Sequence, residues 1–244
     1  MTRLQSTPLN PEILQALEQF DSCTISNAIE QFNVRTRNEG FVHGSVHCIF
    51  PQLSARAGYA ATARMRSSAT PIARRLYYDR PDWWSYVLTI PEPRFIVMQD
   101  VDAVPGVGAL VGRVHAHIAR ALGCAAYITN GAIRHLSGVA AAGLQVFAGN
   151  ITVSHAYAHV IDFGEPVEID GLQVSPGDLL HCDQNGIVSV PTQIADRIPA
   201  VAKQLLNAEA DLIEFCRSGK FSFEELAEKT KETSGKLGHH ENIR

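Results

Sequence analysis

The chain has 244 residues, of which 45% are hydrophobic and 19% charged, and its formal net charge is −4. This composition is typical of a globular protein with one large core, and the absence of a basic run argues against nucleic acid as a direct partner. No segment approaches the roughly 18 consecutive apolar residues of a membrane span, and the N-terminus lacks the apolar run of a secretory signal. We therefore expect a cytoplasmic protein without membrane contact, whose five scattered cysteines are reduced, small, buried residues.

Two short helices followed by three strands are predicted in the first hundred residues. Asn10 and Pro11 resemble an N-cap and a first helical residue, and apolar residues follow at helical spacing. A second short helix is predicted over residues 24–32. Four prolines interrupt residues 67–93, where no regular element is assigned. Strands are predicted over residues 45–50, 58–65 and 94–100.

The middle of the chain has the pattern of parallel strands joined by helices. A helix is predicted over residues 113–122 and a strand over 125–129, which ends before Asn130 and Gly131. A short helix and a strand over 145–148 follow. Together with the strand at 94–100, this order predicts a parallel sheet with right-handed crossovers.

Short strands and turns dominate after residue 150. Asp170-Gly171 between two apolar runs predicts a hairpin, and Pro176-Gly177-Asp178 predicts a further turn. A long helix is predicted over residues 194–216, with Pro199 in its first turn or at a kink. Ser222 and Glu225 form a capping box for a last helix, and residues 234–244 are expected to fray.

The segment from Gly112 to Arg134 predicts a site for a small carboxylate. Gly112 opens a helix, and the free backbone N–H groups at a helix start attract anions. Arg134 follows the next strand and offers a planar fork of donors that fits a carboxylate. His135 comes directly after it, as a candidate metal ligand or catalytic acid and base.

An ordered set of short motifs resembles the RraA-like family over about residues 20–220. No single motif is specific, but their order and the glycine-to-arginine spacing are. The motifs are Gly112-Arg113-Val114, residues 130–135, residues 145–147, Pro166-Val167, Asp170-Gly171, residues 176–178, and residues 183–187 before Pro191.

The resemblance implies an α/β fold, a swivelling β/β/α domain with flanking N- and C-terminal helices. It implies a single domain over residues 1–244, with a core of about 20–220 and a C-terminal helix and frayed tail over 221–244. The family forms trimers, sometimes paired into hexamers, with active sites between subunits. It contains 4-hydroxy-4-methyl-2-oxoglutarate aldolases with oxaloacetate decarboxylase activity, an inhibitor of ribonuclease E, and members misnamed demethylmenaquinone methyltransferases.

The resemblance also assigns roles within the site. The catalytic residues would be Arg134 and His135, and the substrate carboxylate would be held by Arg134 with the helix start, namely Gly112, Arg113, Val114 and His115. In the family, magnesium or manganese polarises the keto group and stabilises the enolate that carbon–carbon cleavage produces.

Four positions depart from the acidic residues of the family pattern. Arg113 replaces a glutamate, Asn130 and His135 replace aspartates, and Asn27 stands where many relatives carry an aspartate. Since hard cations prefer anionic oxygen ligands, we expect poor magnesium binding. His135 could hold a softer metal, or act in proton transfer with no metal.

Several other residues are candidates for accessory roles. His155 and His159 have the i, i+4 spacing of helical metal ligands, without the glutamate of the HExxH motif. The residues that follow resemble a strand, on which both histidines would share a face only if the strand began early. Glu209 lies on the long helix, where relatives carry an acid that reaches a neighbouring subunit. Asp178 and Asp183 are expected to form turns, and Trp83-Trp84 to belong to the core or an interface.

Three functions remain compatible with the sequence. The first is a lyase that cleaves or decarboxylates a small 2-oxo dicarboxylate and releases pyruvate. The second is a catalytically silent relative that binds a small carboxylate or a protein partner. The third is a different, metal-free reaction on a carboxylate-bearing substrate. The identity of residue 135 and its neighbours is the feature that distinguishes them.

Overall fold

A computed structural model of the protein describes residues 8–71, 80–219 and 221–236. The helices are α1 (Pro11–Leu17), α2 (Ser22–Glu30), α3 (Pro81–Val87), α4 (Arg113–Ala121), α5 (Leu136–Ala141), α6 (Ile198–Arg217) and α7 (Phe223–Lys236). The strands are β1 (His47–Cys48), β2 (Arg56–Arg66), β3 (Arg94–Asp100), β4 (Cys124–Ile133), β5 (Gln145–Ile151), β6 (His159–Phe163), β7 (Val167–Ile169), β8 (Leu172–Val174), β9 (Leu179–Asp183) and β10 (Gly186–Ser189). The fraying predicted for residues 234–244 was wrong for residues 234–236, which belong to α7, and the rest of that segment lies outside the described residues.

One large mixed sheet organises the fold. Its strand order is β1-β5-β4-β3-β2-β9-β10, and β6 also pairs with β2. Strands β2, β3, β4 and β5 are parallel neighbours, whereas the remaining pairs are antiparallel. The predicted alternation of strands and helices from β3 to β5 is thereby confirmed. The carboxyl ends of β3 and β4 lie side by side, and the loops that follow them form the candidate site.

Apolar side chains fill both faces of the sheet. On one face, helices cover a core that includes Leu17, Ile25 and Tyr127. On the other face, Phe95 and Phe147 pack with the apolar residues of the β7–β8 hairpin. Burial on both faces explains why the parallel strands are almost continuously apolar in sequence.

Local turn chemistry behaves as the sequence predicts. Asp170 and Gly171 adopt positive φ values of 43° and 86°, as a two-residue type I′ hairpin requires. The Asp178 side chain accepts the Ser175 N–H at 2.7 Å. Ser222 and Glu225 exchange side-chain-to-backbone hydrogen bonds of 2.7 and 3.2 Å, which confirms the capping box.

Three predicted boundaries were wrong. The strand predicted at 45–50 is only two residues long, because the preceding Ser45 N–H is held by Asp170 of the hairpin at 2.8 Å. Strand β4 does not end before Asn130 but continues to Ile133, paired with β5 across a register shift. Helix α6 begins at Ile198 rather than 194, which leaves Pro199 in the first turn, where its missing N–H costs nothing.

The cysteines only partly match the expectation of burial. All five are free thiols, and Cys124 and Cys182 are buried, but Cys23 and Cys216 are exposed. The two exceptions lie at the first turn of α2 and the last turn of α6, where one side of each helix faces solvent. Within the described residues, no helix is long and apolar enough to cross a membrane.

Candidate functional site

The start of α4 is an uncapped helix N-terminus. Gly112 is its N-cap residue in an extended conformation, with no side chain to cap the helix. The first intrahelical hydrogen bond joins the Ala116 N–H to the Gly112 carbonyl at 2.9 Å. The N–H groups of Arg113 and Val114 therefore come before the first helical hydrogen bond. Such groups, together with the helix dipole, favour a bound anion.

Arg134 lies against this helix start. The backbone N–H of Arg134 donates a hydrogen bond to the Val111 carbonyl at 3.3 Å. The end of β4 therefore lies beside Val111, the residue before Gly112. A β-carbon placed on Gly112 would lie 3.4 Å from Arg134 Cγ and 3.5 Å from Arg134 Nε. The Nε atom is buried and has no hydrogen-bond partner within the described chain. A buried cationic donor without an acceptor is costly, which indicates that a ligand completes this site.

His135 makes the turn that brings its own ring and Arg134 to Gly112. It adopts a left-handed conformation with φ 58° and ψ 48° and forms the N-cap of α5. Its carbonyl accepts the Val139 N–H at 3.0 Å. The ring is exposed, and its Cδ2 would lie 3.1 Å from a β-carbon on Gly112. Histidine tolerates this region better than bulky or β-branched residues do.

Arg113 approaches the same region from α4. Its stem crosses Gly138 of α5, and a β-carbon at Gly138 would lie only 2.6 Å from Arg113 Cβ. The side chain is exposed. Gly138 therefore provides the space in which Arg113 lies, one helical turn after His135. We call Gly112, Arg113, Val114, Arg134 and His135 the anion corner.

Asn130 joins the ends of β3 and β4. Its Oδ1 accepts the Asp100 N–H at 2.7 Å, and its Nδ2 donates to the Asp100 carbonyl at 2.9 Å. The β4–β5 register shifts between Thr129 and Ala132, next to this pair. Irregular pairing of this kind often redirects the chain beside a functional site. Both polar atoms of the Asn130 side chain are thus used within the sheet.

Two buried aspartates hold the loop that leads to α4. Burial raises the pKa of Asp100, although its carboxylate accepts the N–H groups of Asp102 and Gly106 at 3.1 and 2.8 Å. Asp102 accepts the N–H and hydroxyl groups of both Ser67 and Ser68. Burial opposes ionisation of Asp102, but these hydrogen bonds outweigh it and lower its pKa. These carboxylates position the helix start indirectly.

Asp100 and Asp102, which support the site, were not among the residues predicted from the sequence. A signal was present, because Asp100 ends an apolar strand of the parallel sheet and Asp102 follows two residues later. Polar residues at the carboxyl ends of such strands commonly serve the site that the loops build. Their hydrogen-bond partners, in contrast, come from Ser67, Ser68 and Gly106, which no local pattern connects to them.

His155 and His159 do not lie on a helix, and the strand predicted after them is confirmed as β6. Ala156 has a positive φ of 46°, and His159 is the first residue of β6. Their Nδ1 atoms lie 2.8 and 2.7 Å from the carbonyl oxygens of Ala156 and Tyr157. His155 packs beside the loop before α4, since its carbonyl oxygen would lie 2.5 Å from a β-carbon on Gly108. Its accessory role stays a prediction.

The remaining candidates lie elsewhere in the fold. Trp83 is buried in the core, as expected, and the Trp84 ring lies 6.0 Å from the ring of buried His115. Asp183 accepts the Asn185 N–H at 2.9 Å within its predicted turn, and the Ser22 N–H at 3.2 Å. Asn27 is exposed on α2, a helix that packs against α6, β9 and β10.

Glu209 is half-buried on α6, a helix that packs against α1, α2 and α7. Its predicted role concerned the site of a neighbouring subunit, and it stays a prediction.

The donor set of the anion corner does not suit a divalent cation. Magnesium and manganese need several anionic or neutral oxygen ligands. Here Arg113 and Arg134 are cationic, His135 offers one imidazole, and both polar atoms of Asn130 are engaged with Asp100. Across the described ranges, no three His, Cys, Asp or Glu side chains are grouped so that they could hold a metal ion. These residues therefore do not fit a magnesium or manganese ion.

Comparison with known proteins identifies the family. The family model described as RraA-like, Aldolase/RraA, matches residues 22–189. The chain therefore belongs to the RraA-like family. A comparison with curated proteins finds no match.

Solved structures support the same fold. An uncharacterized protein from Pseudomonas syringae pv. tomato str. DC3000 is 21% identical, with a TM-score of 0.72 over 95% of this chain and 98% of that chain. Streptomyces coelicolor RraAS2, described as an unusual member of the RNase ES inhibitor RraA protein family, is 19% identical, with a TM-score of 0.63 over 87% of this chain and 98% of that chain. The predicted α/β class and RraA-like fold are confirmed.

Proposed function

We propose that the protein binds a small 2-oxo carboxylic acid at the anion corner and acts as a carbon–carbon lyase that releases pyruvate. The observation that supports this most directly is the buried Arg134 Nε, which has no partner among the described residues and lies beside the uncapped start of α4. Arg134 holds the carboxylate through its donor fork, and the N–H groups of Arg113 and Val114 face the ligand oxygens. The amide of His115 completes the first turn.

The same donors suit the charge that develops during cleavage. When oxaloacetate loses carbon dioxide, the electron pair of the broken bond forms the enolate of pyruvate. Preorganised N–H donors stabilise such an oxyanion without reorganisation. Protonation of the enolate carbon then gives pyruvate, and the exposed imidazole of His135 is the group that donates this proton. An aldol cleavage of a 4-hydroxy-2-oxo acid gives the same enolate when a base, such as neutral His135, removes the 4-hydroxyl proton, the C3–C4 bond breaks and the C4 oxygen becomes a carbonyl.

A second candidate function is carboxylate binding without turnover. The position of Asn130 favours it, because an amide stands where the family carries an acid and is fixed by two hydrogen bonds between β3 and β4. Arg113 adds positive charge where a metal-dependent site would need acids. The two candidates share the ligand site and differ only in whether bound 2-oxo acid is cleaved.

We also propose a homo-oligomer, a trimer or a hexamer of paired trimers. Large apolar side chains are exposed on the loops that lead to and flank the site, at Val104, Val107, Ile151, Val153 and Tyr157. These loops are joined, since Thr152 donates to the Val107 carbonyl and Asn150 to the Gly106 carbonyl, each at 3.4 Å. A clustered apolar surface of this kind is typical of a protein–protein contact.

Calorimetry with oxalate and pyruvate tests the ligand site. Arg134→Ala should weaken binding by roughly 10- to 150-fold, because a charge-assisted hydrogen bond contributes on the order of 1.5–3 kcal/mol. Arg134→Lys keeps the charge but loses the planar fork, so it should restore only part of the affinity. Unchanged affinity in Arg134→Ala would place the carboxylate elsewhere. Pyruvate release from oxaloacetate, measured in the same preparations, separates the lyase from the silent binder.

A further inference from the structure

The first residue of α2 is held to strands β9 and β10 by a buried cluster of polar groups. The Ser22 N–H donates to an Asp183 carboxylate oxygen at 3.2 Å, and the Ser22 hydroxyl donates to the Gly186 carbonyl at 3.4 Å. The same hydroxyl lies 3.0 Å from His181 Nδ1. Ser22, His181 and Asp183 are all buried. We call these three residues the α2 latch.

His181 is completely buried, and only one of its ring nitrogens is satisfied. Its Nε2 has no hydrogen-bond partner within the described residues. Because the Ser22 hydroxyl donates to Gly186, the hydrogen-bond network assigns the ring proton to Nδ1 and a lone pair to Nε2. A second proton on Nε2 would create a buried charge whose donor has no acceptor among these residues, which is costly.

Several groups around His181 favour its protonated form. Asp183 of β9 and Asp21, the N-cap of α2, act on the ring through their charge. The backbone of Leu17 and Phe20, in the turn between α1 and α2, acts in the same direction. Burial outweighs all of them and lowers the pKa of His181 to about 4. The packed latch therefore requires a neutral imidazole.

The other elements beside His181 supply no further unpaired charge. Ala57 of β2 lies opposite His181 in the sheet, and its neighbour Arg56 pairs with Glu18 after α1 at 4.0 Å. Strand β10 contains no titratable side chain. His181 is thus the group of this cluster whose charge changes between neutral and mildly acidic pH.

We propose that the α2 latch is a pH-sensitive switch, in which protonation of His181 detaches the first turn of α2 from β9 and β10 while the sheet stays folded. Once the turn opens, water supplies the acceptor that the protonated Nε2 lacks inside the protein. The later part of α2 remains packed against α6. Local openings of this size need less free energy than global unfolding. The latch is independent of the anion corner, because it includes none of its residues.

Hydrogen exchange of the full chain, followed by mass spectrometry at pH 7.5 and pH 5.5 and corrected for intrinsic exchange rates, tests the switch. Protection of the amides in residues 18–26 should fall about tenfold at the lower pH, since the pKa of His181 is about 4 when buried and 6.5 when released. The amides of β4 should stay better protected at both pH values. Equal protection of the two segments at pH 5.5 would indicate global unfolding and overturn the switch.

Variants of the latch separate its two parts. His181→Asn keeps a side-chain donor but does not titrate, so the fall in protection should disappear, whereas His47→Asn at an exposed position of β1 should retain it. Ser22→Ala removes the hydroxyl and leaves the imidazole, so protection of residues 18–26 should be lower at both pH values. If His181→Asn does not fold, Ser22→Ala decides, and unchanged protection in it overturns the switch. A fall of the wild-type size in His181→Asn, or no fall in the wild type, overturns it as well.

Discussion

The stem of Arg134 crosses Gly112 so closely that a single methyl group on the glycine would touch it, at 3.4 Å from Cγ and 3.5 Å from Nε. The backbone of Gly112 is extended, with φ −138° and ψ −165°, and any residue can adopt it. A β-carbon here would be in ordinary van der Waals contact with Arg134, and its tight neighbour would be His135 Cδ2 at 3.1 Å. This relationship links the helix start and the guanidinium into one anion site.

Gly112→Ala should thus weaken carboxylate binding while the fold persists. The added methyl group would lie 3.1 Å from His135 Cδ2, so the His135 ring beside Arg134 must shift by a few tenths of an ångström. Since misplacement of a binding group by a fraction of an ångström is expensive, we expect oxalate affinity to fall by about tenfold. Gly44→Ala is the matched control, because nothing lies within 4 Å of a β-carbon there. Equal affinities in the two variants would contradict the close approach.

Asn130→Ala should destabilise the protein. The substitution removes the two hydrogen bonds to the backbone of Asp100, at 2.7 and 2.9 Å, at the ends of β3 and β4. Leaving such groups unsatisfied costs about 1–3 kcal/mol each, so the free energy of unfolding should fall by roughly 2–5 kcal/mol. Urea denaturation measures this loss. Asn185→Ala, which removes the 3.1 Å contact with Asp183 in a turn, is the milder control. A loss no larger than that of the control would mean that Asn130 does not hold the strands together.

His135→Gly should separate the chemical role of the imidazole from its structural role. Glycine adopts the left-handed conformation of residue 135 without the penalty of about 1–2 kcal/mol that other residues bear. We expect unchanged or slightly higher stability and a loss of any pyruvate-releasing activity. Asn33→Gly, at another positive φ of 50° far along the chain, should affect stability alone. Full activity in His135→Gly would exclude proton transfer by this residue.

The buried histidine His181 should make stability depend on pH. Burial lowers its pKa to about 4 from 6.5, against the opposing effect of Asp183, and its Nδ1 lies 3.0 Å from the Ser22 hydroxyl. The unfolded chain therefore binds a proton more readily between these two values. Neutral, buried His181 therefore contributes to the free energy of unfolding. This contribution is fully present above pH 6.5 and is lost as the pH falls towards 4, which lowers the free energy of unfolding by on the order of 3 kcal/mol.

Urea denaturation between pH 4.5 and pH 7.5 tests this linkage. His181→Asn should show a shallower fall of the free energy of unfolding with acid than the wild type. His47→Asn, at an exposed position of β1, should retain the wild-type dependence. Identical pH profiles for His181→Asn and the wild type would show that another group titrates.

Val153→Asp should weaken the proposed oligomer. Val153 is 94% exposed on the loop after β5, and Val107 of the same surface is 50% exposed. A charge in an apolar interface must be desolvated without a partner, so dissociation is expected at micromolar concentration. Light scattering reports the change in mass. Val34→Asp introduces the same charge at a 48% exposed valine after α2 and should not alter the mass.

Much of the fold was accessible from local chemistry. Pro11, Asp170-Gly171 and the Ser222–Glu225 pair were predicted correctly, because each feature depends on residues a few positions apart. The end of β4 was predicted too early, because Asn130-Gly131 normally signals a turn. The neighbouring strand overrides that local preference, as Ala132 and Ile133 pair with Asn150 and Ile151 of β5.

By itself, the sequence determined the class of fold and the placement of Gly112 and Arg134 after adjacent elements of a parallel sheet. It also determined that Arg113, Asn130 and His135 replace the acids of the family pattern. Only the tertiary structure decided what these replacements do. Asn130 binds the backbone of Asp100, Arg113 lies over Gly138, and Arg134 presents an unpartnered buried donor to the helix start. These contacts join residues that are distant in the chain, and their energies depend on burial and distance, which no local pattern specifies.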